Sequence, residues 1–453
     1  MRQTTTLAMT VIAAAILAGC GGSDFQPKPK FSAQVSFGDS LSDVGTHAVG
    51  AVKTAGGGKY TINGDNTASN PELTGKNWTE LTAAQFGLPA PCAAQTGLQG
   101  DASKGFSVPI VNHAGCYGYA QGGSRVTNPI GADNKATGSI LGQLTVPVVQ
   151  QVKNHLAAVG GKFKGDEIVF VMAGGNDVLS GLTELNTAAT AAGTTAGANA
   201  FGASLVGQLA AGAPNPQSAA QAIGLALATE NARPGHTDQT VIGAAVTAAV
   251  VAGNGAVASS AVYLPMVAKA QADANAAGFK AGNDYANAHG ADLVKALAQA
   301  GAELAVIVKS QIVANGAKYI VVNNLPDVAT TPSVTAQSPS IQALTANMVK
   351  VFNDALAAGL AGETTVLLID VFTFSHDQAL NPAAYGFTNT KDTACDLSPA
   401  KNLLSSSLTC NGSNLKAGDV SHYEFADGVH PTPFGNKLLA RYVGDKVAAK
   451  GWL

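Results

Sequence analysis

The chain has 453 residues, of which 46% are hydrophobic, so it is long enough to bury one large core or two smaller ones. Its 26 Lys and Arg against 29 Asp and Glu give a net charge of -3, and charged residues make up only 12% of the chain. This composition argues against a nucleic-acid binder, because such a protein needs a clustered basic excess to displace counterions.

The chain begins with a segment typical of export. Residues 7–17 (LAMTVIAAAIL) form an apolar stretch of signal-peptide length that is too short to span a bilayer comfortably. The LAGC sequence at residues 17–20 resembles a bacterial lipobox, in which a peptidase cuts before an acylated Cys. An ordinary signal peptide with a chance Cys is the alternative. The pattern predicts a lipoprotein signal peptide over residues 1–19, lipidation of Cys20 and a flexible tether over residues 20–33.

Four further cysteines agree with export, and they are Cys92, Cys116, Cys395 and Cys410. An even number in an oxidising compartment suggests two disulfides, and the sequence alone permits three pairings. We expect Cys92 to pair with Cys116 and Cys395 with Cys410, since both pairings close short loops in stretches without a hydrophobic pattern. Buried free thiols or a metal site are the alternatives. The sequence contains no CxxC or HxxxH spacing, so we expect no metal.

Strand and helix signals alternate along most of the chain. Compact β-rich apolar runs that end at Gly, Asn or Asp predict four strands, at residues 34–37, 167–172, 319–322 and 365–370. Helical patterns lie between them, from residue 41 onward and at residues 146–158, 293–314 and 341–360. This alternation predicts an α/β fold with a central parallel sheet covered on both faces, and an active site at the carboxyl ends of its strands.

Residues 183–291 do not fit the alternation. They are rich in Ala, Gly, Asn and Thr, and their apolar stretches, such as residues 241–252, are too short and interrupted to cross a membrane. We expect a mostly helical insertion that separates a first part of the domain, residues 34–182, from a second part, residues 292–453.

Two motifs contain the residue types of nucleophilic catalysis. Ser40, in FGDSLSD at residues 37–43, follows the first predicted strand, where backbone N–H groups and a helix dipole can receive negative charge. A helix N-cap is the alternative. Asp427 and His430, in DGVHP, are spaced so that the carboxylate can accept the Nδ1 proton and leave Nε2 as a base. A satisfied surface cluster is the alternative.

Together, FGDSLSD and DGVHP resemble the SGNH hydrolase superfamily, also called GDSL esterases and lipases. The resemblance implies a flavodoxin-like, three-layer α/β/α fold. It also implies that Ser40 is the nucleophile and that Asp427 and His430 are its activating pair. No metal or organic cofactor is implied.

Two further segments resemble the remaining signature blocks of this superfamily. YAQGGSR at residues 119–125 implies that Gly123 donates a backbone N–H to the oxyanion, although Gly118 stands where the block usually begins with Asn. AGGND at residues 173–177 implies that Asn176 directs its side-chain amide at the same oxyanion, together with the N–H of Ser40. Turn chemistry is the alternative for the Gly and the Asn, because both tolerate positive φ.

Other segments resemble the exported bacterial esterases, lipases and lecithinase-like phospholipases of the superfamily: residues 77–81, 323–327 and 382–389. The expected activity is serine-dependent hydrolysis of carboxylic esters at the cell envelope, with phospholipids and lysophospholipids among the candidate substrates. A carbohydrate O-acetyl esterase and a surface adhesion lipoprotein that kept the fold are the alternatives. The oligomeric state stays open.

Position along the chain gives the last two expectations. Gly21, rather than Asp, follows the lipobox Cys, and resemblance to sorted lipoproteins then favours the outer membrane, to which the lipid anchor would attach the protein.

The insertion begins seven residues after Asn176, so we expect it to form a lid or a wall of the substrate pocket. An appendage that touches neither substrate nor membrane is the alternative.

Overall fold

The computed structural model describes residues 28–64 and 75–453. The predicted signal peptide, Cys20 and most of the predicted tether therefore lie outside the described residues. Within those described ranges, no helix combines the length and the apolar character needed to cross a membrane.

The strands are β1 Gln34–Gly38, β2 Gln95–Gln99, β3 Ser107–Asn112, β4 Ile168–Met172, β5 Tyr319–Asn323, β6 Val366–Ile369, β7 Asn389–Thr393 and β8 Tyr423–Phe425. The helices are α1 Gly50–Thr54, α2 Trp78–Gln85, α3 Val148–Ala158, α4 Gly175–Ala210, α5 Pro216–Asn231, α6 Asp238–Val251, α7 Ser260–Ile307, α8 Pro332–Thr335, α9 Pro339–Leu360, α10 Val371–Leu380, α11 Pro382–Tyr385 and α12 Pro433–Ala449. A π-helical segment, Val308–Val313, continues α7.

Four parallel strands form the central sheet, in the order β1-β4-β5-β6. Their residues are mostly Val, Ile and other apolar types and are largely buried, as expected for strands with both faces covered. The chain at residues 117–121 runs beside β1, where Ser36 N–H donates to Tyr117 O at 3.0 Å and Tyr119 N–H donates to Ser36 O at 2.8 Å. The predicted α/β fold with a parallel sheet is confirmed.

Alternate residues of the strands face two different helical layers. Val35, Phe37 and Val171 pack into a core that α3, α9 and the C-terminal part of α7 cover. Phe170 and Met172 point to the other face, into a core that α2 and α12 cover. Because alternate residues face opposite sides of the sheet, helices pack on both of its faces and the fold has three layers. The helices cover the faces of the sheet and leave the carboxyl ends of its strands accessible.

A long helical arm accounts for the segment that did not fit the alternation. Helices α4 and α7 have 36 and 48 residues, and α5 and α6 pack near their far ends around a separate apolar core. The predicted boundaries at residues 183 and 291 fall inside α4 and α7. Glycines allow the two long helices to approach closely, because a Cβ at Gly193 would lie 2.7 Å from the Gly278 carbonyl oxygen.

The helix predicted from residue 41 onward is wrong, because residues 39–46 form turns. Asp39 Oδ1 accepts the Leu41 N–H at 3.1 Å, and Asp43 Oδ1 accepts the N–H groups of Gly45 and Thr46 at 2.8 and 2.7 Å. Aspartate side chains thus satisfy the backbone donors that a helix would pair with its own carbonyl groups. The helix dipole expected at Ser40 is absent from this segment.

Candidate active site

The three residues of the proposed triad meet at the carboxyl end of the sheet. His430 Nε2 lies 2.8 Å from Ser40 Oγ, although 390 residues separate them in the chain. His430 Nδ1 lies 2.9 Å from both carboxylate oxygens of Asp427. A carboxylate can only accept, so Nδ1 carries the proton and the unprotonated Nε2 faces the serine hydroxyl. This tautomer is the one that can accept the Ser40 proton.

Asp427 is buried and is held in its ionised form by several donors. It accepts backbone N–H groups from Ser407 at 2.7 Å, Val429 at 3.0 Å and His430 at 2.9 Å. Burial opposes ionisation, but the adjacent His430 and the hydrogen bonds that Asp427 accepts outweigh it and hold the Asp427 pKa below its usual range. The carboxylate is therefore fixed in place as the partner of the imidazole.

Ser40 lies in the turn that directly follows β1. Gln151, on α3, fixes the end of that strand by accepting the Gly38 N–H at 2.9 Å and donating to the Gly38 carbonyl at 2.8 Å. Gly38 has φ 150°, and a Cβ there would collide with the Met172 carbonyl oxygen of β4. Beside Ser40, burial raises the Asp39 pKa to about 7.

The loop with Gly123 emerges next to Ser40 because the chain before it runs beside β1. Gln121 N–H donates to Gly38 O at 3.2 Å, and Gly122 N–H donates to Asp43 Oδ2 at 2.9 Å. Gly123 then takes φ 77°, a left-handed conformation that favours glycine. Two aspartates of the FGDSLSD motif, Asp39 and Asp43, thus stabilise the turns around Ser40 and the neighbouring loop.

Asn176 lies in the first turn of α4 and is tied to the same loop. Its Nδ2 donates to Ser124 O at 3.0 Å, which leaves its second amide hydrogen for another acceptor. The next residue, Asp177, accepts the Val126 N–H at 3.0 Å and Arg125 Nε–H at 3.1 Å. Burial raises the Asp177 pKa, while Arg125 opposes that rise. The first turn of α4 is therefore hydrogen-bonded to the segment that follows Gly123.

One cavity of about 520 Å³ brings the predicted site residues together, and it is lined by Ser40, Gly123, Asn176 and His430. Its apolar wall consists of Leu41, Ile140, Leu141, Leu179, Leu325, Val328, Leu403, Leu404 and Val429. The part of α4 that lines the cavity ends at Leu179, and no described residue of 183–291 contributes to the wall. The lid expected from the insertion stays a prediction.

The structure pairs Cys92 with Cys116 and Cys395 with Cys410, as expected from the loop lengths. The second disulfide closes the segment that presents the Ser407 N–H to Asp427. Within residues 28–64 and 75–453, no group of three or more His, Cys, Asp or Glu side chains could hold a metal ion.

Sequence reasoning missed several residues that shape this site. The Ser407 N–H is a main-chain donor in a Ser-rich loop, so its residue type gave no signal. Gln151 was visible only as one polar position in a predicted helix. The two aspartates of FGDSLSD were a usable signal, because Asp often caps turns by accepting nearby N–H groups.

Comparison with known sequences assigns the family. The family model described as GDSL-like Lipase/Acylhydrolase matches residues 186–443. The chain belongs to the GDSL-like lipase/acylhydrolase family. The match includes Asp427 and His430 of this GDSL protein, whereas Ser40, Gly123 and Asn176 lie outside the matched residues. It is the structure that brings these three to the Asp–His pair.

Two plant proteins of Arabidopsis thaliana are similar to parts of the GDSL chain. A GDSL esterase/lipase is 27% identical over 139 residues, which cover 28% of this chain and 36% of the relative. An anther-specific proline-rich protein is 35% identical over 91 residues, which cover 20% of this chain and 15% of the relative. The chain thus matches well under two thirds of the length of either relative.

Proposed function

We propose that the protein is a serine-dependent carboxylic ester hydrolase. The observation that carries this proposal is the continuous hydrogen-bonded line from Ser40 Oγ through His430 to Asp427, at 2.8 and 2.9 Å, at the edge of an apolar cavity. A hydroxyl with a neutral imidazole base at hydrogen-bond distance and a buried carboxylate behind it is the arrangement of acyl-transfer enzymes.

The reaction follows from the positions of these groups. Ser40 Oγ attacks the ester carbonyl while His430 Nε2 takes its proton, and the ionised Asp427 stabilises the resulting imidazolium. The carbonyl oxygen gains negative charge, and the N–H groups of Ser40 and Gly123 and the Asn176 amide, whose residues line the same cavity, would donate to it. His430 then protonates the leaving alcohol, and water releases the acyl group by the same steps in the opposite direction.

The cavity wall supports an acyl substrate larger than acetyl. The cavity of about 520 Å³ has nine Leu, Ile and Val residues in its wall, and these give an acyl chain apolar surface to bury, at about 0.8 kcal/mol per methylene. Polar residues such as Asp133, Ser139 and Gln143 also line it, and a carbohydrate O-acetyl esterase would bind sugar hydroxyls through groups of this kind. We therefore propose lipids or other long-chain esters as the substrate class, ahead of acetylated carbohydrate and of a purely adhesive role.

A panel of p-nitrophenyl esters from acetyl to palmitoyl, a phospholipid and an acetylated polysaccharide tests this proposal. Ser40→Ala should abolish hydrolysis. Ser42→Ala is the matched control, because its buried hydroxyl has no hydrogen-bond partner among the described residues, and it should retain activity. Hydrolysis by folded Ser40→Ala at the wild-type rate would contradict the mechanism, and activity on acetylated polysaccharide alone would contradict the substrate class.

We also propose that the protein is exported and held at the outer membrane by a lipid on Cys20. Support comes from the apolar segment at residues 7–17 followed by LAGC, and from two disulfides, which form in oxidising compartments. An anchor would keep the cavity close to lipid substrates.

A further inference from the structure

Tyr60 contacts the catalytic base directly, although no sequence motif marks it. Its side chain is buried and lines the same cavity as Ser40 and His430. The phenol ring packs against the His430 imidazole, with ring centroids 5.0 Å apart and an angle of 38° between the planes. Rotation of the imidazole toward this side would require the Tyr60 ring to move.

The Tyr60 hydroxyl is held in turn by two buried side chains. Gln143 Nε2 donates to it at 2.7 Å, and His47 Nδ1 lies 3.0 Å away. Burial lowers the His47 pKa, so that ring stays neutral, and burial raises the Tyr60 pKa well above its usual range. The phenol therefore remains a neutral group with a fixed orientation.

The same phenol packs against the oxyanion loop, which is the segment of residues 121–124 that contains Gly123. A Cβ at Gly122 would collide with the Tyr60 hydroxyl, so the backbone of the loop lies directly on it. A Cβ at Gly123 would lie 2.6 Å from Gln143 Oε1. This oxygen belongs to the same side-chain amide whose Nε2 donates to Tyr60. The loop that presents the oxyanion donor thus rests on Tyr60 and on its hydrogen-bond partner.

Thr61, the residue after Tyr60, stabilises the loop that contains His430. Thr61 Oγ1 donates to the Pro431 carbonyl at 2.9 Å, directly after His430 in the chain. Asn436 Nδ2 approaches the same carbonyl at 3.3 Å. Tyr60 and Thr61 therefore restrain both the ring and the backbone of the catalytic loop.

We propose that Tyr60 is a positioning residue that couples the general base to the oxyanion hole. Its ring keeps the His430 imidazole directed at Ser40, and it stabilises the imidazolium that forms when the Ser40 proton is transferred, because aromatic rings attract nearby cations. Its hydroxyl, through Gln143, holds the loop of Gly123 in place beside the cavity. This inference rests on the proposed ester hydrolysis.

Three variants test the inference. Tyr60→Leu removes the ring and should lower kcat by about 10-fold with little change in KM. Tyr60→Phe keeps the ring but loses the hydroxyl, and should lower kcat by about threefold. Phe106→Leu is the matched control, because Phe106 is buried in the same apolar cluster as Tyr60 but does not line the cavity.

The pH profile separates positioning from loss of packing. The acid limb of kcat/KM should move to lower pH in Tyr60→Leu, since the imidazolium loses its ring partner, and should stay in place in Tyr60→Phe and Phe106→Leu. Equal kcat and an unmoved limb in Tyr60→Leu would overturn the inference. If that variant does not fold, Tyr60→Phe decides, because a wild-type kcat there would refute the link through Gln143.

Wild type and Ser40→Ala, assayed beside these variants, keep the two proposals distinguishable. Wild type that does not hydrolyse esters would refute the proposed function. Active wild type with Tyr60 variants that behave like Phe106→Leu would refute only the positioning role.

Discussion

The two disulfides allow a matched test of how the triad carboxylate is held in place. Replacing Cys395 and Cys410 by Ala removes a covalent link from the segment in which Ser407 N–H donates to Asp427 at 2.7 Å. Hydrogen bonds from Gly58 N–H to Leu408 O at 2.9 Å and from Asn63 N–H to Cys410 O at 2.7 Å then hold that segment. Replacing Cys92 and Cys116 removes a covalent link from the segment before the loop of Gly123. Hydrogen bonds from Ala94 N–H to Gly118 O at 2.8 Å and from Gly118 N–H to Cys92 O at 3.1 Å then hold that segment.

The sequence separations give similar losses of stability. Chain entropy predicts that opening the loop closed by Cys395 and Cys410, at a sequence separation of 15, lowers the free energy of unfolding by about 3 kcal/mol. Opening the loop closed by Cys92 and Cys116, at a sequence separation of 24, lowers it by about 3.5 kcal/mol. Cys395 and Cys410 are fully buried, so their replacement also loses some packing.

The effect on activity should differ strongly between the two pairs. Loss of one hydrogen bond to a charged group typically costs about 1.5 to 3 kcal/mol, which corresponds to at least a 10-fold fall in kcat. We expect this fall for the Cys395 and Cys410 double variant. The Cys92 and Cys116 double variant should remain within about threefold of wild type, because no residue of 92–116 lines the cavity, whereas Ser407 donates directly to Asp427.

The test measures denaturant unfolding and ester hydrolysis for both double variants, at a temperature where circular dichroism shows each variant to be folded. A fall in kcat confined to the Cys395 and Cys410 variant supports the role of the Ser407 donor. Equal activities in the two variants would refute the reasoning that this loop positions Asp427.

Four further predictions follow from the site, the buried acids, the N-terminus and the arm. Asn176→Ala should lower kcat about 100-fold with little change in KM, as measured by steady-state kinetics, because it removes an oxyanion donor; a change in KM alone would contradict that role. Burial and Asp327 raise the Glu424 pKa from 4.5 to about 8. The folded chain then keeps a proton that the unfolded chain releases, so the free energy of unfolding falls as pH rises between those values. Glu424→Gln should remove this fall and raise the free energy of unfolding at pH 8 by up to roughly 4 kcal/mol, as measured by denaturant unfolding. Cys20→Ser should abolish membrane partitioning, and an unmodified N-terminus beyond residue 20 in the wild-type mass spectrum would exclude the anchor. Replacing residues 186–290 by a short Gly and Ser linker should spare hydrolysis of butyryl esters, since none of them lines the cavity; a selective loss on long-chain substrate would support a lid.

Much of the fold could be predicted because its signals are local. The strands β4, β5 and β6 are compact runs of β-branched and apolar residues bounded by turn formers, so periodicity and composition suffice to find them. The motifs around Ser40 and His430 are also short, and each lies in a single turn beside a strand.

The rest depends on contacts between distant segments. The sequence predicted a helix from residue 41 where the structure has turns, because Asp39 and Asp43 accept the backbone N–H groups that a helix would use. Tyr60 acquires its role only when the fold brings it against a ring 370 positions later in the chain. The extent of α4 and α7 was hidden because Ala and Gly form close helix contacts without a strong apolar stripe.

The most direct test of the account is covalent labelling with an alkyl fluorophosphonate, followed by mass spectrometry of the digested protein. This reagent reacts with a serine that an adjacent base activates, and its product resembles the tetrahedral intermediate. We expect one adduct, on the peptide that contains Ser40, together with complete loss of ester hydrolysis. An adduct on another serine, or hydrolysis that survives full labelling of Ser40, would contradict it.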